Sequence, residues 1–530
     1  MPRVDPLAYQ PPSNFADYIL CGITEIPVTN AKGELTHYTT QPVSIKPAAG
    51  TIFQHGNLLV TGPAGSGKGT FLKANCKSWR HSMIITDLKG DTFRETALDR
   101  AQYGEVYVID TRHATGHQFD PFRVLPLDQW HQMVQVIVSA SNDDGFWMTV
   151  ATDMWLACLH AARHAQRPHI PYAMDILSLG VVEALRYFLV HHKDDANTMR
   201  HLIDFFGRAP DEGWAEKLER DGPTRLLESM WRTVTSTKQI LDNEVLLTVA
   251  NGHDIPVECM FYDEGIATVY INANENNESQ FKAFMRVFVH ALGSALLDEG
   301  DKDLKRRPVL MCFDEFGKIR LNSVVAWLDT MRSRDIVLVL MTQDFEQLNT
   351  IKGEAFTLDQ KNSIHHFLLF KPADLSNEVA QKISRLSGQT TVSVPSGESM
   401  TTAPDGTITR STSYAFRERS QVEQEDVERW SGRDAYCVLS LRQTEKYVVR
   451  GASLADMGWD APKKARPLPA LPRYVPRAGL FPMPQPGNRP DIDALLEDAI
   501  TPQEPEQAGE QVNSVAAMLT ALVSGTGGGF

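Results

Sequence analysis

Residues 57–70 read Asn57-Leu-Leu-Val-Thr-Gly-Pro-Ala-Gly-Ser-Gly-Lys-Gly-Thr70, and this stretch decides the fold. A short apolar run ends in a glycine-rich turn, which leads directly into helix-forming residues. Gly62, four further residues and then Gly67-Lys68 have the spacing of a phosphate-binding loop. Glycines let successive backbone N–H groups curl around a phosphate chain, and the following helix N-terminus attracts the same anion. We therefore expect a bound nucleotide, with Lys68 near its outer phosphates.

The predicted nucleotide contacts are the loop residues Gly62, Pro63, Ala64, Gly65, Ser66, Gly67, Lys68, Gly69 and Thr70. One position departs from the common pattern, because Gly69 stands where a Ser or Thr hydroxyl usually ligates Mg²⁺. Two alternatives remain open: the Thr70 hydroxyl reaches the metal, or water and a downstream acid hold it. A glycine-rich turn without a ligand is the competing interpretation, which the flanking strand and helix disfavour.

Chain length, net charge and cysteine spacing limit the classes of protein that this sequence can belong to. A chain of 530 residues is too long for one simple core, so two folded domains with tails are expected. The net charge of -14 argues against a surface coated with basic residues for nucleic acid, although a locally basic channel is compatible with it. The six cysteines form no C-x-x-C pair, which disfavours a zinc or disulfide framework. The sequence also shows no signal peptide and no 18-residue apolar window.

Short apolar runs alternate with helical patterns on both sides of a helical block, which predicts an α/β fold with a mostly parallel sheet. We predict four regions. They are a β extension at 1–50, a nucleotide-binding domain at 51–124 and 256–455, an all-α inserted domain at 125–255, and a Pro-rich linker with a mostly disordered tail at 456–530. Two strands are predicted in the extension, at 18–23 and 37–45. Helical periodicity predicts helices over 173–191 and 224–249 in the inserted domain and another from about 278 to 298. A hairpin or mobile loop is predicted at 390–412, and a closing hairpin near 436–450.

A second group of polar residues follows later strands. Asp314-Glu315 ends the apolar run 310–313, and parallel strands deliver their ends to the edge where the phosphate loop lies. Asp314 is predicted to hold Mg²⁺ and Glu315 to polarise the attacking water, although many strands simply end in acids. Gln343, at the end of the next strand, is a candidate sensor of the γ-phosphate. Arg332 and Arg334 are candidates for an arginine finger acting on a neighbouring subunit, or else solvated charges at a helix end.

Taken together and in order, these motifs resemble type IV secretion coupling proteins of the TraG/TraD kind, within the FtsK/HerA group of ring ATPases. Gly often follows the loop lysine in that family, so Gly69 fits it. The resemblance covers roughly residues 50–450. Its motifs are Gly62–Gly69, Thr86–Asp91, Asp120-Pro121, Phe146-Trp147 with Ala151, Phe313–Gly317, Thr342–Asp344 with Gln347-Leu348, Ala380–Gln389 and Arg417–Ser420.

The resemblance implies a RecA-like domain with an all-α insertion, ATP and Mg²⁺ as cofactors, and a homo-hexamer with ATP at subunit boundaries. It implies an ATPase that drives a DNA–relaxase complex or a secreted protein to the components of a type IV secretion channel. Such proteins usually begin with transmembrane helices, which this sequence lacks. We therefore expect a cytoplasmic protein, peripheral at the inner face of the cytoplasmic membrane and recruited by a membrane-anchored partner.

Two other functions remain open. One is a nucleotide-gated adaptor that docks cargo and has little motor activity. The other is a DNA translocase of the FtsK/HerA type that works outside secretion. Cargo-stimulated hydrolysis would distinguish the motor from the adaptor.

Overall fold

The computed structural model describes residues 17–30, 32, 35–46, 55–113, 115–138, 145–239, 241–273, 281, 284–300, 307–319, 323–344, 363–372, 378–402, 404–406, 408–432, 434–439, 445–450 and 471–473. All of them fall within one structural unit, residues 1–477. Of the linker and tail predicted for 456–530, only residues 471–473 are described, so the rest of that prediction lies outside the described residues.

Seven parallel strands form the centre of the fold. They are β3 (Asn57–Thr61), β4 (Met83–Thr86), β5 (Glu105–Asp110), β6 (Ala267–Asn272), β7 (Val309–Phe313), β8 (Ile336–Thr342) and β9 (Ile364–Phe370). Their spatial order is β9-β3-β8-β7-β4-β6-β5. Every residue of β3, β7 and β8 is buried. Strands covered by helices on both faces need such continuous apolar runs, and the predicted mostly parallel sheet is confirmed.

Four antiparallel strands extend the same sheet beyond β9. In chain order they are β1 (Ile19–Thr29), β2 (Leu35–Ile45), β12 (Asp434–Leu439) and β13 (Glu445–Arg450), and in space the order is β2-β1-β13-β12-β9. The two N-terminal strands predicted from the sequence are therefore present, and they lie at the rim of the central sheet. The predicted closing hairpin is formed by β12 and β13. Of the two alternatives predicted for 390–412, a hairpin or a mobile loop, the structure has the hairpin, the separate and largely exposed pair β10 (Gln389–Thr402) and β11 (Ile408–Ser420).

The first two helices each follow a parallel strand. Helix α1 (Lys68–Ser78) follows β3, and α2 (Asp91–Arg100) follows β4. Asn75 of α1 is almost fully buried and joins this helix to β1. Its Oδ1 accepts a hydrogen bond from Leu20 N at 2.9 Å, and its Nδ2 donates to Leu20 O at 3.0 Å. One side chain thus satisfies both backbone groups of a residue in the neighbouring strand.

Between β5 and β6 the described chain is helical, and no strand interrupts its described residues from 121 to 250. The helices are α3 (Pro121–Val124), α4 (Leu127–Val138), α5 (Gly145–His164), α6 (His169–Leu177), α7 (Val181–His191), α8 (Ala196–Phe206), α9 (Glu212–Asp221), α10 (Arg225–Lys238) and α11 (Glu244–Val249). This is the helical block that the sequence predicted. Its exact domain boundaries remain a prediction.

Two stretches that read as continuous helices are broken in the structure. The predicted helix over 173–191 divides at Gly180, whose φ of 84° a helix does not allow. The predicted helix over 224–249 divides before Asn243, whose side chain accepts hydrogen bonds from Val245 N and Leu246 N and so caps α11. In both cases the apolar periodicity continues across the break, whereas the capping residue decides where a helix begins.

The helical block leaves and rejoins the sheet at adjoining points. Gln118 N donates to Asp254 Oδ2 at 2.7 Å, and Asp254 N donates to Gln118 O at 2.8 Å. Gly252 packs so closely that a Cβ there would lie 2.6 Å from Gln118 Oε1. Since β5 and β6 are hydrogen-bonded neighbours, the whole block is one connection between adjacent parallel strands.

The remaining described helices come after β6 in the chain. They are α12 (His290–Gly300), α13 (Phe316–Ile319), α14 (Ser323–Thr330), α15 (Glu378–Ser387) and α16 (Gln424–Glu428). A π-helical turn over Met285–Val289 precedes α12. Much of the start of the helix predicted over 278–298 lies outside the described residues. None of the described helices combines the length and apolar character needed to cross a lipid bilayer.

Candidate nucleotide-binding site

The phosphate loop lies at the C-terminal edge of the parallel strands. Gly62 N donates to Thr342 O at 3.2 Å, which fixes the start of the loop against the end of β8. Phe370, fully buried at the end of β9, lies against the loop. A Cβ at Gly62 would lie 2.6 Å from the Cβ of Phe370, and Gly67 has a φ of 113°. Glycine is therefore required at both positions, by close packing at Gly62 and by backbone conformation at Gly67.

Lys68 begins helix α1 and folds back over the loop. Its Nζ donates to Pro63 O at 3.0 Å and also to Gly62 O. Burial lowers the pKa of Lys68, while the negative charges of Asp314 and Glu315 oppose that effect. The lysine and both predicted acids therefore share one electrostatic environment, although they lie some 250 residues apart in the chain.

Three buried hydroxyls surround the start of the loop. Ser66 Oγ, Thr61 Oγ1 and Thr342 Oγ1 have no hydrogen-bond partner within the described part of the chain. Thr61 and Thr342 are paired residues at the ends of β3 and β8. Since buried hydroxyls normally find partners, three such groups at one strand edge fit a site that binds a polar ligand. Sequence reasoning named Ser66 as a loop residue but did not single out the two threonines.

Asp314 follows β7 at the same edge. Its Oδ1 accepts a hydrogen bond from Glu315 N at 3.0 Å. Burial, followed by the neighbouring Glu315 charge, raises the pKa of Asp314 to about 6, while Lys68 acts in the opposite direction. A partly buried carboxylate with acidic neighbours is a donor that a cation stabilises, so Asp314 fits the predicted Mg²⁺ ligand.

Glu315 has a different environment. Its φ is 53°, a left-handed conformation that non-glycine residues rarely adopt and that is concentrated at functional sites. Lys89 Nζ lies 3.3 Å from Glu315 Oε1, and Lys318 forms an ion pair with Oε2. Burial raises the pKa of Glu315, but these two lysines outweigh it, so the pKa lies below its usual value. Glu315 is therefore ionised at neutral pH, as a group that accepts a proton must be.

Asp87 is a third acid of this site. It follows β4, is 2% exposed, and its Oδ2 accepts a hydrogen bond from Phe93 N at 2.7 Å. Burial raises the pKa of Asp87, and its charge contributes to the raised pKa of Asp314. Sequence reasoning included Asp87 in a motif without assigning it a role. The available signal was the one that identified Asp314, an acid directly after a buried parallel strand.

Two lysines of the site were also missed. Lys89 reaches Glu315 from the turn after the neighbouring strand β4, and β4 and β7 are hydrogen-bonded partners. Lys318 lies three residues after Glu315, which directly precedes α13, so the first turn of that helix brings the two side chains together. That spacing could have identified Lys318, whereas nothing in the local sequence indicates the contact of Lys89.

The other predicted residues occupy two different edges. Gln343 directly follows β8 and is exposed at the loop edge. Arg332 and Arg334 lie in the turn Met331–Arg334, before the first residue of β8. With seven residues at about 3.3 Å each, β8 separates them from the loop by roughly 20 Å. Neither arginine therefore serves the loop of its own chain, and their action on a neighbouring subunit stays a prediction. Arg332 Nη1 lies 3.0 Å from Nε2 of His365.

Gly69 and Thr70 occupy the first turn of α1. A Cβ built at Gly69 meets no atom within 4 Å, so a side chain would fit there. Successive helical residues point about 100° apart, so the Thr70 side chain leaves the helix in a different direction from position 69. Metal ligation by Thr70 stays a prediction.

A family model described as "Type IV secretory system Conjugative DNA transfer" matches residues 38–429. The conjugal transfer protein TraG of Escherichia coli is 23% identical over 363 residues, which cover 63% of this chain and 55% of that protein. The chain thus spans about half the length of the TraG relatives that it matches.

Solved structures with the same fold include the bacterial conjugative coupling protein TrwBdeltaN70 in its unbound monoclinic form. It has a TM-score of 0.54 and 13% identity, covering 76% of this chain and 86% of that one. A second is the plasmid coupling protein TrwB in complex with the ATP analogue ADPNP, with a TM-score of 0.51, 14% identity, and coverage of 75% and 86%. The predicted RecA-like P-loop fold with an inserted all-α domain is confirmed.

Proposed function

The chain belongs to the type IV secretory system conjugative DNA transfer family, and on that basis we propose that it is an ATP-hydrolysing coupling protein. It receives a DNA–relaxase complex or a secreted protein and drives that cargo to the components of a membrane channel. The similarity to a conjugal transfer protein supports the conjugative role. The ATP analogue bound to TrwB supports ATP as the nucleotide.

The observation that supports ATP hydrolysis is that two groups of residues meet at the edge of the sheet where the parallel strands end. On one side are the loop, the N-terminus of α1 and Lys68, which suit a chain of phosphates. On the other side are a partly buried acid, Asp314, and an ionised acid, Glu315, held by Lys89 and Lys318. A site that only bound nucleotide would not require an ionised carboxylate in a left-handed conformation.

Each of these groups has its own role in nucleotide binding or hydrolysis. The ammonium of Lys68 exchanges its carbonyl partners for phosphate oxygens. Glu315 orients the attacking water and accepts its proton, and Gln343 contacts the outermost phosphate. Asp314, together with a hydroxyl of Ser66 or Thr70, would hold Mg²⁺. The chemistry that Mg²⁺ supplies is neutralisation of charge on the phosphate oxygens.

The proposed assembly is a homo-hexamer with ATP at the subunit boundaries. Arg332 and Arg334 lie at the strand edge away from the loop of their own chain, so each is available only to another subunit's nucleotide. Loss of an arginine finger typically lowers the hydrolysis rate by on the order of a thousandfold. We further propose that the protein works at the inner face of the cytoplasmic membrane through a membrane-anchored partner.

The test is an ATPase assay on the full-length protein with and without single- and double-stranded DNA. Glu315→Gln is expected to bind ATP normally and to lose hydrolysis, and Lys68→Ala is expected to lose binding. Glu216→Gln and Lys217→Ala, at exposed positions of α9, are the matched controls and should behave like wild type. The same four variants are then assayed for plasmid transfer in cells.

Four outcomes would contradict parts of the proposal. Normal hydrolysis by Glu315→Gln would remove its assignment as the base. Nucleotide binding without any hydrolysis, combined with cargo binding, would indicate a docking adaptor. DNA-stimulated hydrolysis by the protein, together with plasmid transfer in cells that does not need it, would indicate a translocase outside secretion. For the location, retention in floated membranes when the protein is expressed without its transfer operon would contradict recruitment by a partner.

A further inference from the structure

A group of metal-binding side chains lies in the helical block, apart from the phosphate loop. It consists of Asp153 on α5 with His201 and Asp204 on α8. One ligand atom from each residue lies within 4.8 Å of the other two. His201 and Asp204 are three residues apart, so they project from the same face of α8. Small rotations of these side chains would bring the three atoms around a single cation.

His201 provides the independent observation. The residue is 7% exposed, and its Nδ1 is buried without a hydrogen-bond partner within the described residues. The atom that it faces is Asp153 Oδ1 at 3.5 Å, too far for a good hydrogen bond. A buried ring nitrogen without a partner is unfavourable unless a ligand satisfies it.

Neither carboxylate forms an ion pair with a lysine or arginine of the described residues. Asp204 is exposed, and it forms no ion pair or side-chain hydrogen bond with any other described residue. Among the described residues, the one charged partner of Asp153 is His201, at that long distance. Two carboxylates held this close repel each other unless a positive charge lies between them.

We propose that Asp153, His201 and Asp204 bind one divalent transition-metal ion of the Zn²⁺ class, which joins α5 to α8. Two carboxylates balance the charge of the ion, and the imidazole nitrogen is a donor that Zn²⁺ accepts readily. Mg²⁺ and Ca²⁺ prefer oxygen ligands, so the histidine selects against them. Water completes the coordination.

Two neighbouring residues contact the ring of His201. His160 stacks on it with ring centroids 5.4 Å apart and planes at 13°, which restricts the orientation of the ring. Arg200 Nη2 lies 3.2 Å from His201 Nε2. A metal on Nδ1 requires the proton on Nε2, so the exposed guanidinium of Arg200 turns to solvent when the ion binds.

The test is titration of the full-length, chelator-treated protein with ZnCl₂ by calorimetry, with excess Mg²⁺ present. Wild type is expected to bind one Zn²⁺ per chain at this site and to gain thermal stability on binding. Asp153→Asn and Asp204→Asn should each weaken binding at least about tenfold and remove the thermal gain. Asp194→Asn, an exposed acid between α7 and α8, is the matched control.

Separate controls test whether the variants fold and whether Zn²⁺ binds at another site. Asp204 is exposed, so Asp204→Asn should melt like wild type in EDTA. Equal Zn²⁺ affinity in wild type and both cluster variants would overturn the proposal, because the ion would then occupy another of the 16 histidines or a cysteine. Displacement of the ion by Mg²⁺ would also overturn it. With Co²⁺ as the probe, visible bands of nitrogen and oxygen ligation are expected, and a sulfur charge-transfer band would overturn it.

Discussion

Asp314→Asn is expected to stabilise the protein in the absence of nucleotide and to remove the effect of Mg²⁺ on nucleotide binding. The substitution keeps the size of the side chain and the acceptor for Glu315 N. It removes a charge that burial disfavours, since the pKa of Asp314 is raised from 3.8 to about 6. That difference corresponds to about 3 kcal/mol against the ionised carboxylate, at about 1.4 kcal/mol per pKa unit. Loss of the attraction to Lys68 offsets part of the gain.

The sign and the pH window follow from the direction of this shift. Below about pH 4 the carboxyl group is protonated in both the folded and the unfolded chain, so it contributes nothing. Between about pH 4 and 6 the unfolded chain releases this proton more readily, and the wild type becomes progressively less stable than the variant. Above about pH 7 the difference is constant. At about pH 5 it is roughly half of its full value.

Thermal unfolding at two pH values measures this effect. Asp314→Asn should unfold a few degrees above wild type near neutral pH, and the difference should be about half as large at about pH 5. Asp242→Asn, at an exposed position, is the control and should show no pH-dependent difference. An Asp314→Asn protein that is less stable than wild type, or equally stabilised at both pH values, would refute the reasoning from burial.

Three further predictions concern the same edge of the sheet. Gly62→Ala places a Cβ 2.6 Å from the Cβ of Phe370, so a fluorescent nucleotide should bind at least about tenfold more weakly, with a loss of about 1–3 kcal/mol in stability; unchanged binding would mean that the loop shifts freely. Gly69→Ser has open space for its side chain, so binding should strengthen with Mg²⁺ and stay unchanged in EDTA; no Mg²⁺-dependent gain would show that this position does not face the metal. Binding of nucleotide with Mg²⁺ should weaken as pH falls below about 6, where Asp314 takes up a proton, whereas binding in EDTA should not follow that curve; equal pH profiles would exclude Asp314 as a ligand.

The central sheet could be predicted because its strands carry unusually clear signals. A parallel strand buried on both faces must be apolar at every position, as β7 and β8 are. The same topology predicted that Asp314 and Lys68 would meet, because parallel strands share one edge. Both conclusions need only local sequence and the direction of the strands.

Other features depend on contacts that local sequence does not encode. The requirement for glycine at position 62 comes from Phe370, which is 308 residues away in the chain. The contact of Lys89 with Glu315 depends on which strands are neighbours, and the sequence leaves that order open. The contact of Arg332 with His365 also joins two segments whose proximity the sequence does not indicate.

The meeting of Gln118 and Asp254 has a consequence for how such proteins diversify. A segment whose two ends are fastened side by side behaves as a cassette. It can be exchanged for another segment of different length and surface without altering the register of the strands that carry it. Recombination within these two short junctions would replace the helical block and leave intact the strand edge that carries the phosphate loop.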